Sequence, residues 1–154
     1  MDFQLNLDSE TVEQVSSSTP PCVDVGDSVG DVLNVMKEKQ RASVLVCREG
    51  ALAGIFTERD ALKLMLPGAD LDAAIETVMT ASPETLSNSD AVGAAISKMS
   101  RGGYRRLPIV DTDGHPQGFV KVRTILHYLV GHFPSIVYNL PPAPHHTTET
   151  REGA

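Results

Sequence analysis

Apolar positions along the chain follow two periods. Val29, Val32, Leu33 and Met36 fall at i, i+3, i+4 and i+7, which predicts an amphipathic helix started by Asp27 or Ser28. Residues 42–47, apolar but for Ser43, form one run and residues 52–56 a second one. Arg48-Glu49-Gly50 separates them, so the two runs read as a buried antiparallel pair. Thr57 then stands at a strand-to-helix junction, capping a helix over residues 58–66 that Pro67-Gly68 stops. Upstream, Cys22-Val23-Asp24-Val25 reads as a short strand behind the breaker Ser16-Ser17-Ser18-Thr19-Pro20-Pro21. Before that breaker stand an alternating stretch, 3–7, and a short helix, 8–15.

The same order recurs. Asp27-Ser28-Val29-Gly30 returns as Asp90-Ala91-Val92-Gly93, and Met36 returns as Met99, each 63 positions on (27 to 90, 36 to 99). Gly54 and Gly118 are 64 apart (54 to 118), and one extra residue in the Asp111-Thr112-Asp113-Gly114 turn explains the step. The second copy then reads as a strand over 83–86, a helix capped by Ser89 or Asp90 carrying Val92, Ala95, Ile96 and Met99, and an end at Gly102-Gly103. Strands over 104–110 and 118–122 follow, then a last helix over 124–130. Leu71, Ala74, Ile75 and Val78 predict a linking helix between the copies. The organisation is an extension 1–18, copy one 19–68, a linker helix 69–78, copy two 79–132 and a tail 133–154, disordered after 140.

Bulk properties narrow the function. At 154 residues, 41% hydrophobic and 21% charged, the chain has a globular composition. A net charge of −7 argues against a nucleic-acid face. No apolar run suits a membrane span and Met1-Asp2-Phe3 lacks a basic leader start, so a cytoplasmic protein is expected. Cys22 and Cys47 lie in apolar strands without metal-ligand spacing and read as reduced thiols. His145 and His146 lack a third ligand at metal spacing, so no metal is required. Catalytic constellations are equally absent: Glu58 and Asp60 point apart, and His115, His127 and His132 are scattered. The expectation is a protein that is not an enzyme.

Thr57 and Asp60 carry the main candidate chemistry. One reading is a capping box, in which hydroxyl and carboxylate satisfy the first N–H groups of the helix. The other is a grip on the hydroxyls of a sugar, with the helix N-terminus favouring a nearby anion.

Gly54-Ile55-Phe56-Thr57-Glu58-Arg59-Asp60, Val78-Met79-Thr80, Tyr104-Arg105-Arg106-Leu107-Pro108-Ile109-Val110-Asp111 and Gly118-Phe119-Val120 together resemble the tandem CBS-domain (Bateman) module over about residues 14–132. The resemblance implies a mixed α/β (α+β) fold of two βαββα repeats related by a pseudo-twofold, each a small three-stranded sheet flanked by helices. It implies a non-catalytic regulatory module that binds an adenine nucleotide (AMP, ADP or ATP) or S-adenosylmethionine. Thr57 and Asp60 become the ribose ligands, and Arg105, Arg106 and Arg123 the phosphate ligands. Pro21-Cys22-Val23 and Ala42-Ser43-Val44 become the base pocket. Copy two has Lys121 and Thr124 where copy one has Thr57 and Asp60, so one competent site is expected. The module also implies a homodimer through the outward helices, with Leu62, Leu64, Met65 and Leu66 matched by Ile125, Leu126, Tyr128 and Leu129. An unidentified protein target would receive the signal. The alternative is a ligand-free structural dimerisation module in which Thr57 and Asp60 are only a cap.

Overall fold

The computed structural model describes residues 7–132. The alternating stretch 3–7, apart from Leu7, and the tail from 133 lie outside the described residues. Copy one contains β2 (Cys22–Asp24), α1 (Val29–Glu38), β3 (Ser43–Arg48), β4 (Ala51–Thr57) and α2 (Glu58–Lys63), preceded by β1 (Ser16–Ser17). Copy two contains α3 (Val92–Gly102), β6 (Arg106–Val110), β7 (Pro116–Lys121) and α4 (Val122–His132), preceded by β5 (Thr80–Ala81). The periodic segments of the two copies' first helices became the helices they predict. Val29, Val32 and Met36 are buried on α1, and Val92, Ala95 and Met99 on α3. Ser28 is the α1 cap and accepts from the Asp31 N–H. The α3 cap is neither Ser89 nor Asp90 but Ala91, whose side chain offers no acceptor. Asp90 instead accepts from the Ser87 N–H at 2.9 Å, as Asp27 accepts from the Asp24 N–H at 2.9 Å.

Two sheets form, and they are unequal. One has four strands in the order β2-β3-β4-β5, the other three in the order β1-β7-β6. The expectation of two three-stranded sheets fails because Cys22–Asp24 makes a full parallel ladder with β3, whereas its counterpart contributes only the Leu86–Ile109 bridge. The outer strands are exchanged. β1, which precedes copy one, pairs with β7 of copy two, and β5, which precedes copy two, pairs with β4 of copy one.

This exchange extends through the segments that carry those strands. A 3-10 turn at Val12–Val15 puts Val12 and Val15 into the copy-two core with Val92, Leu107 and Val120. A matching 3-10 turn at Ile75–Thr77 puts Ile75 into the copy-one core with Val29, Val44 and Phe56. The linker helix expected over 69–78 therefore does not form. Its backbone serves α1 instead: the carbonyls of Leu71 and Ala73 accept from the N–H groups of Gly30 and Val29, both at 2.9 Å. Leu7 and Glu10 do the same for Gly93 and Val92, at 3.2 and 2.8 Å. A helix N-terminus has N–H groups with no partner of its own, and here the partner arrives from the segment that precedes the other repeat. The Tyr128 hydroxyl, donating to Glu10 Oε2 at 2.7 Å, closes this contact from α4.

The recurring Gly54 and Gly118 gain their reason from the exchange. A Cβ on Gly118 would stand 2.9 Å from the Ser17 carbonyl oxygen, and one on Gly54 2.9 Å from that of Thr80 and closer still to the Met79 side chain. Only glycine lets β1 and β5 approach β7 and β4 this closely.

Ile75 is fully buried, so Ile75→Ala is expected to cost about 2–5 kcal/mol in urea unfolding. Hydrogen exchange should report the loosening in α1 and β3 of copy one, although Ile75 leads into copy two. Protection lost only in α3 and β6 would refute the exchanged packing.

Candidate functional site

Thr57 ends β4 and, with φ −123°, is the N-cap of α2. Its Oγ1 accepts from the Asp60 N–H at 3.4 Å, while Asp60 Oδ2 accepts from the Thr57 N–H at 3.0 Å and the Thr57 hydroxyl at 2.9 Å. Asp60 is 8% exposed, and its second oxygen lies 3.5 Å from Lys63 Nζ. The capping box is thus fully formed. In copy two the equivalent corner is held without a carboxylate. Thr124 Oγ1 accepts from the Lys121 N–H at 3.2 Å and donates to the Lys121 carbonyl at 2.8 Å.

The two corners meet through two neighbouring residues. Ser43 is the β-ladder partner of Thr57, and Arg106 the partner of Lys121. Arg106 Nη1 donates to Ser43 Oγ at 3.1 Å, across the boundary between the copies. Ser43 and Arg106 are themselves repeat equivalents, 63 apart (43 to 106), so the pseudo-twofold passes between them. Below them Leu45 and Cys47 of one sheet pack against Phe119 of the other. Helix starts are tied to the same rim, with the Glu58 N–H on the Ala42 carbonyl and the Val122 N–H on that of Arg105, both at 3.0 Å.

Beside this junction opens a cleft of about 200 Å³. Copy one supplies Gln40, Arg41, Ala42 and Ser43 from the start of β3, with Ser18 and Pro20 from the approach to β2. Copy two supplies Arg106, Phe119 and Lys121. Three cations and no acid line it, and among the described residues none of the three is ion-paired with a carboxylate. Such a wall attracts anions. The volume is below the roughly 300–1,000 Å³ usual for sites that enclose a whole small molecule, so it suits one anionic group or a ligand lying partly outside.

The expected site residues divide. Ala42, Ser43 and Arg106 come together in the cleft, but Thr57 and Asp60 do not line it; the cleft takes Lys121 instead. Val23 and Val44 face the helices in the copy-one core, at 7% and 0% exposure. The Pro21 carbonyl is spent on the Leu45 N–H at 3.0 Å, and Cys22 is exposed with its Sγ beside Cys47. Arg105 is exposed, as is Arg123, whose Nε lies 3.4 Å from His127 Nε2. Sequence reasoning did not count Arg41, Phe119 or the Ser18–Pro20 approach among the site residues. The available signal was Lys121 at the position of Thr57, a charge where the repeat has a hydroxyl.

Residues 12–67 and 75–131 each match the family described as CBS domain. The chain belongs to the CBS-domain family. As a CBS pair it is 28% identical, over 77% of its length, to an uncharacterized 17.7 kDa protein of Acidianus ambivalens, of which it covers 73%. It is 32% identical over 68% of its length to the Arabidopsis thaliana CBS domain-containing protein CBSCBSPB1, but spans only 20% of that protein. Among solved structures, CBSX2 in complex with AMP superposes with a TM-score of 0.71 at 23% identity, over 80% of this chain and 98% of that one. The CBS domain protein PAE2072 from Pyrobaculum aerophilum, complexed with AMP, gives 0.68 at 19% identity, over 79% and 98%. These likenesses establish the mixed α/β fold of a tandem CBS pair.

Replacing Asp60 with alanine removes the carboxylate that accepts from the Thr57 N–H and hydroxyl, leaves Thr57 Oγ1 on the N–H of residue 60, and should lower stability by about 1 kcal/mol, the scale of a lost cap. The urea midpoint of Asp60→Ala checks this value. A loss above about 3 kcal/mol would mean that the carboxylate does more for the fold than cap α2.

Proposed function

We propose that this CBS pair is a non-catalytic regulatory module that binds an adenine nucleotide at the junction of its two copies and signals through a homodimer. The observation that carries this is Arg106, which bridges the two copies at the pseudo-twofold and is ion-paired with no carboxylate among the described residues. A guanidinium held at a part-buried junction by one neutral serine is matched by a phosphate, which takes two parallel N–H bonds from it. Solved CBS pairs of this fold carry AMP, S-adenosylmethionine with 5′-methylthioadenosine, or ATP, which is the same ligand chemistry.

The pseudo-twofold maps Lys121 onto Thr57 and Ala42 onto Arg105, so a second position for ligand lies on the Thr57 side, with Arg105 in its wall and Arg106 shared. There Thr57 and Asp60 hold the ribose, after Lys63 releases the outer carboxylate oxygen. Arg105 and Arg106 hold the phosphate, with Arg123, exposed in the first turn of α4, as a further phosphate ligand. Lacking a carboxylate, the Lys121 side holds anions but not vicinal hydroxyls.

Titration calorimetry of AMP, ADP, ATP and S-adenosylmethionine on nucleotide-stripped protein tests this directly. Arg106→Ala is expected to weaken AMP by about 1.5–3 kcal/mol, the value of a bond to a charged group, and to leave adenosine nearly unaffected. Asp60→Ala should weaken AMP and adenosine alike, and Lys121→Ala should not. The reverse pattern would move the ribose to the Lys121 side, and no binding of any of the four would leave the ligand-free interaction module.

The homodimer rests on a separate observation. Of the eight apolar residues expected on the outward helices, Ile125 is buried, while Leu64, Tyr128 and Leu129 pack partly against the cores. Leu62, Met65, Leu66 and Leu126 remain 55–80% exposed. A second copy related by a twofold would cover this set in one closed contact. Light scattering should give about twice the chain mass of 16.5 kDa, and Leu62→Glu with Leu126→Glu should return the monomer.

A further inference from the structure

Nucleotide binding leaves one reactive pair unused. Cys22 Sγ lies 3.0 Å from Cys47 Sγ. In the parallel ladder Cys22 is level with Leu45 and Asp24 with Cys47, so the cysteines are diagonal neighbours on one face of the sheet. That face looks towards copy two, where Cys47 packs with Leu45 and Phe119. Phe119 also lines the cationic cleft, and Pro20 of the same cleft lies two residues before Cys22. One thiol is open and the other closed: Cys22 is exposed, Cys47 buried. Burial first, then the hydrogen bond and charge of Cys22, push the Cys47 thiol up to about 12. Cys47 therefore stays protonated at neutral pH, protected from solution oxidants both by burial and by its missing charge.

We propose that Cys22 and Cys47 form an oxidation site, in which a hydroperoxide converts the thiol pair into an intramolecular disulfide that ties the cleft wall to β3. Cys22 is the thiol that a hydroperoxide reaches. Its sulfur attacks one peroxide oxygen, the O–O bond breaks, and the products are a Cys22 sulfenic acid and, from hydrogen peroxide, one water. The Cys47 sulfur then attacks the Cys22 sulfur; the S–O bond breaks, and hydroxide leaves with the Cys47 proton as a second water. Two thiols lose two electrons and one peroxide gains them. The contact distance makes the second step intramolecular, which offsets the poor nucleophilicity of the buried thiol. The bond pins β2 and the Pro20 approach to β3 and shifts Cys47 within its contact to Phe119, so the oxidant acts on the cleft without entering it.

The experiment uses the full reduced chain and hydrogen peroxide, followed by denaturation, alkylation and peptide mass mapping. The expected product is a monomer lighter by two hydrogens, with the Cys22 and Cys47 peptides linked, both sulfurs closed to alkylation, and full reversal by dithiothreitol. Closure should speed up from neutral to mildly alkaline pH, because Cys47 must shed its proton before it attacks. Cys47→Ser should stop at a Cys22 sulfenic acid trapped by dimedone. Cys22→Ser should leave Cys47 reduced until the protein is denatured. A wild-type chain that stays reduced, passes to Cys22 sulfinic acid, or links to a second chain while Cys47 remains alkylatable would overturn the proposal.

Discussion

Neither copy of this chain can complete itself. Val29 and Gly30 begin α1 with N–H groups that have no partner in their own helix, and the same holds for Val92 and Gly93 of α3. Their partners are carbonyls of the segment before the other copy. The same segments bring Val12 and Ile75, both fully buried, into the opposite cores. Leaving even one such buried N–H unpaired costs about 1–3 kcal/mol, and burying an aliphatic side chain contributes a similar amount. Four N–H groups and two aliphatic anchors together are comparable to the whole margin, about 5–15 kcal/mol, by which a domain is stable. The copies therefore fold as a pair, and the repeat is a device for reciprocal completion rather than a duplication of independent domains.

The exchange decides where function sits. Crossing the outer strands turns the open faces of β3–β4 and β6–β7 towards each other, and the contact is sealed by Leu45, Cys47 and Phe119. At the rim of that contact the seal ends, and residues equivalent under the pseudo-twofold face one another. Ser43 meets Arg106, and the Thr57 corner lies opposite the Lys121 corner. Divergence between the repeats has left hydroxyl and carboxylate at one corner and a primary amine at the other. A symmetric backbone thus presents an asymmetric pair of environments, one carrying a carboxylate and the other an amine. The thiol pair sits below the same rim, where strand movement and cleft shape are mechanically linked.

Much of this was legible in the sequence. The i, i+3, i+4, i+7 residues of α1 and α3 are buried because a helix on a sheet has one inner face. Thr57 and Asp60 form the box their spacing predicts because both bonds lie within one helical turn. Residues 69–78 misled for an instructive reason. Leu71, Ala74, Ile75 and Val78 do carry helical spacing, but backbone groups of this segment are claimed by the start of α1, a bridge to Ser28 holds Ala74 extended, and only the 3-10 turn Ile75–Thr77 follows. Val23 and Val44 misled in another way. The motif placed the ribose and the base on neighbouring stretches, but strand alternation turns these two valines towards α1 and leaves Ser43 on the cleft side.

What the sequence determined by itself was whatever depends on neighbours within about one turn or one hairpin: the repeat helices, the β3–β4 and β6–β7 pairs, the Ser28 and Thr57 caps, and the existence of two equivalent copies. Only the tertiary structure decided which copy each segment completes, why Gly54 and Gly118 recur, and that Arg41, Arg106 and Lys121 share one cleft. It alone brought Cys22 to Cys47 across 25 positions of chain. The physical reason is range. Hydrogen-bond and rotamer preferences act on a few residues and leave a periodic trace, whereas the exchange and the cleft arise from surfaces that meet only after both sheets have formed, and pairing at that distance leaves no period to read.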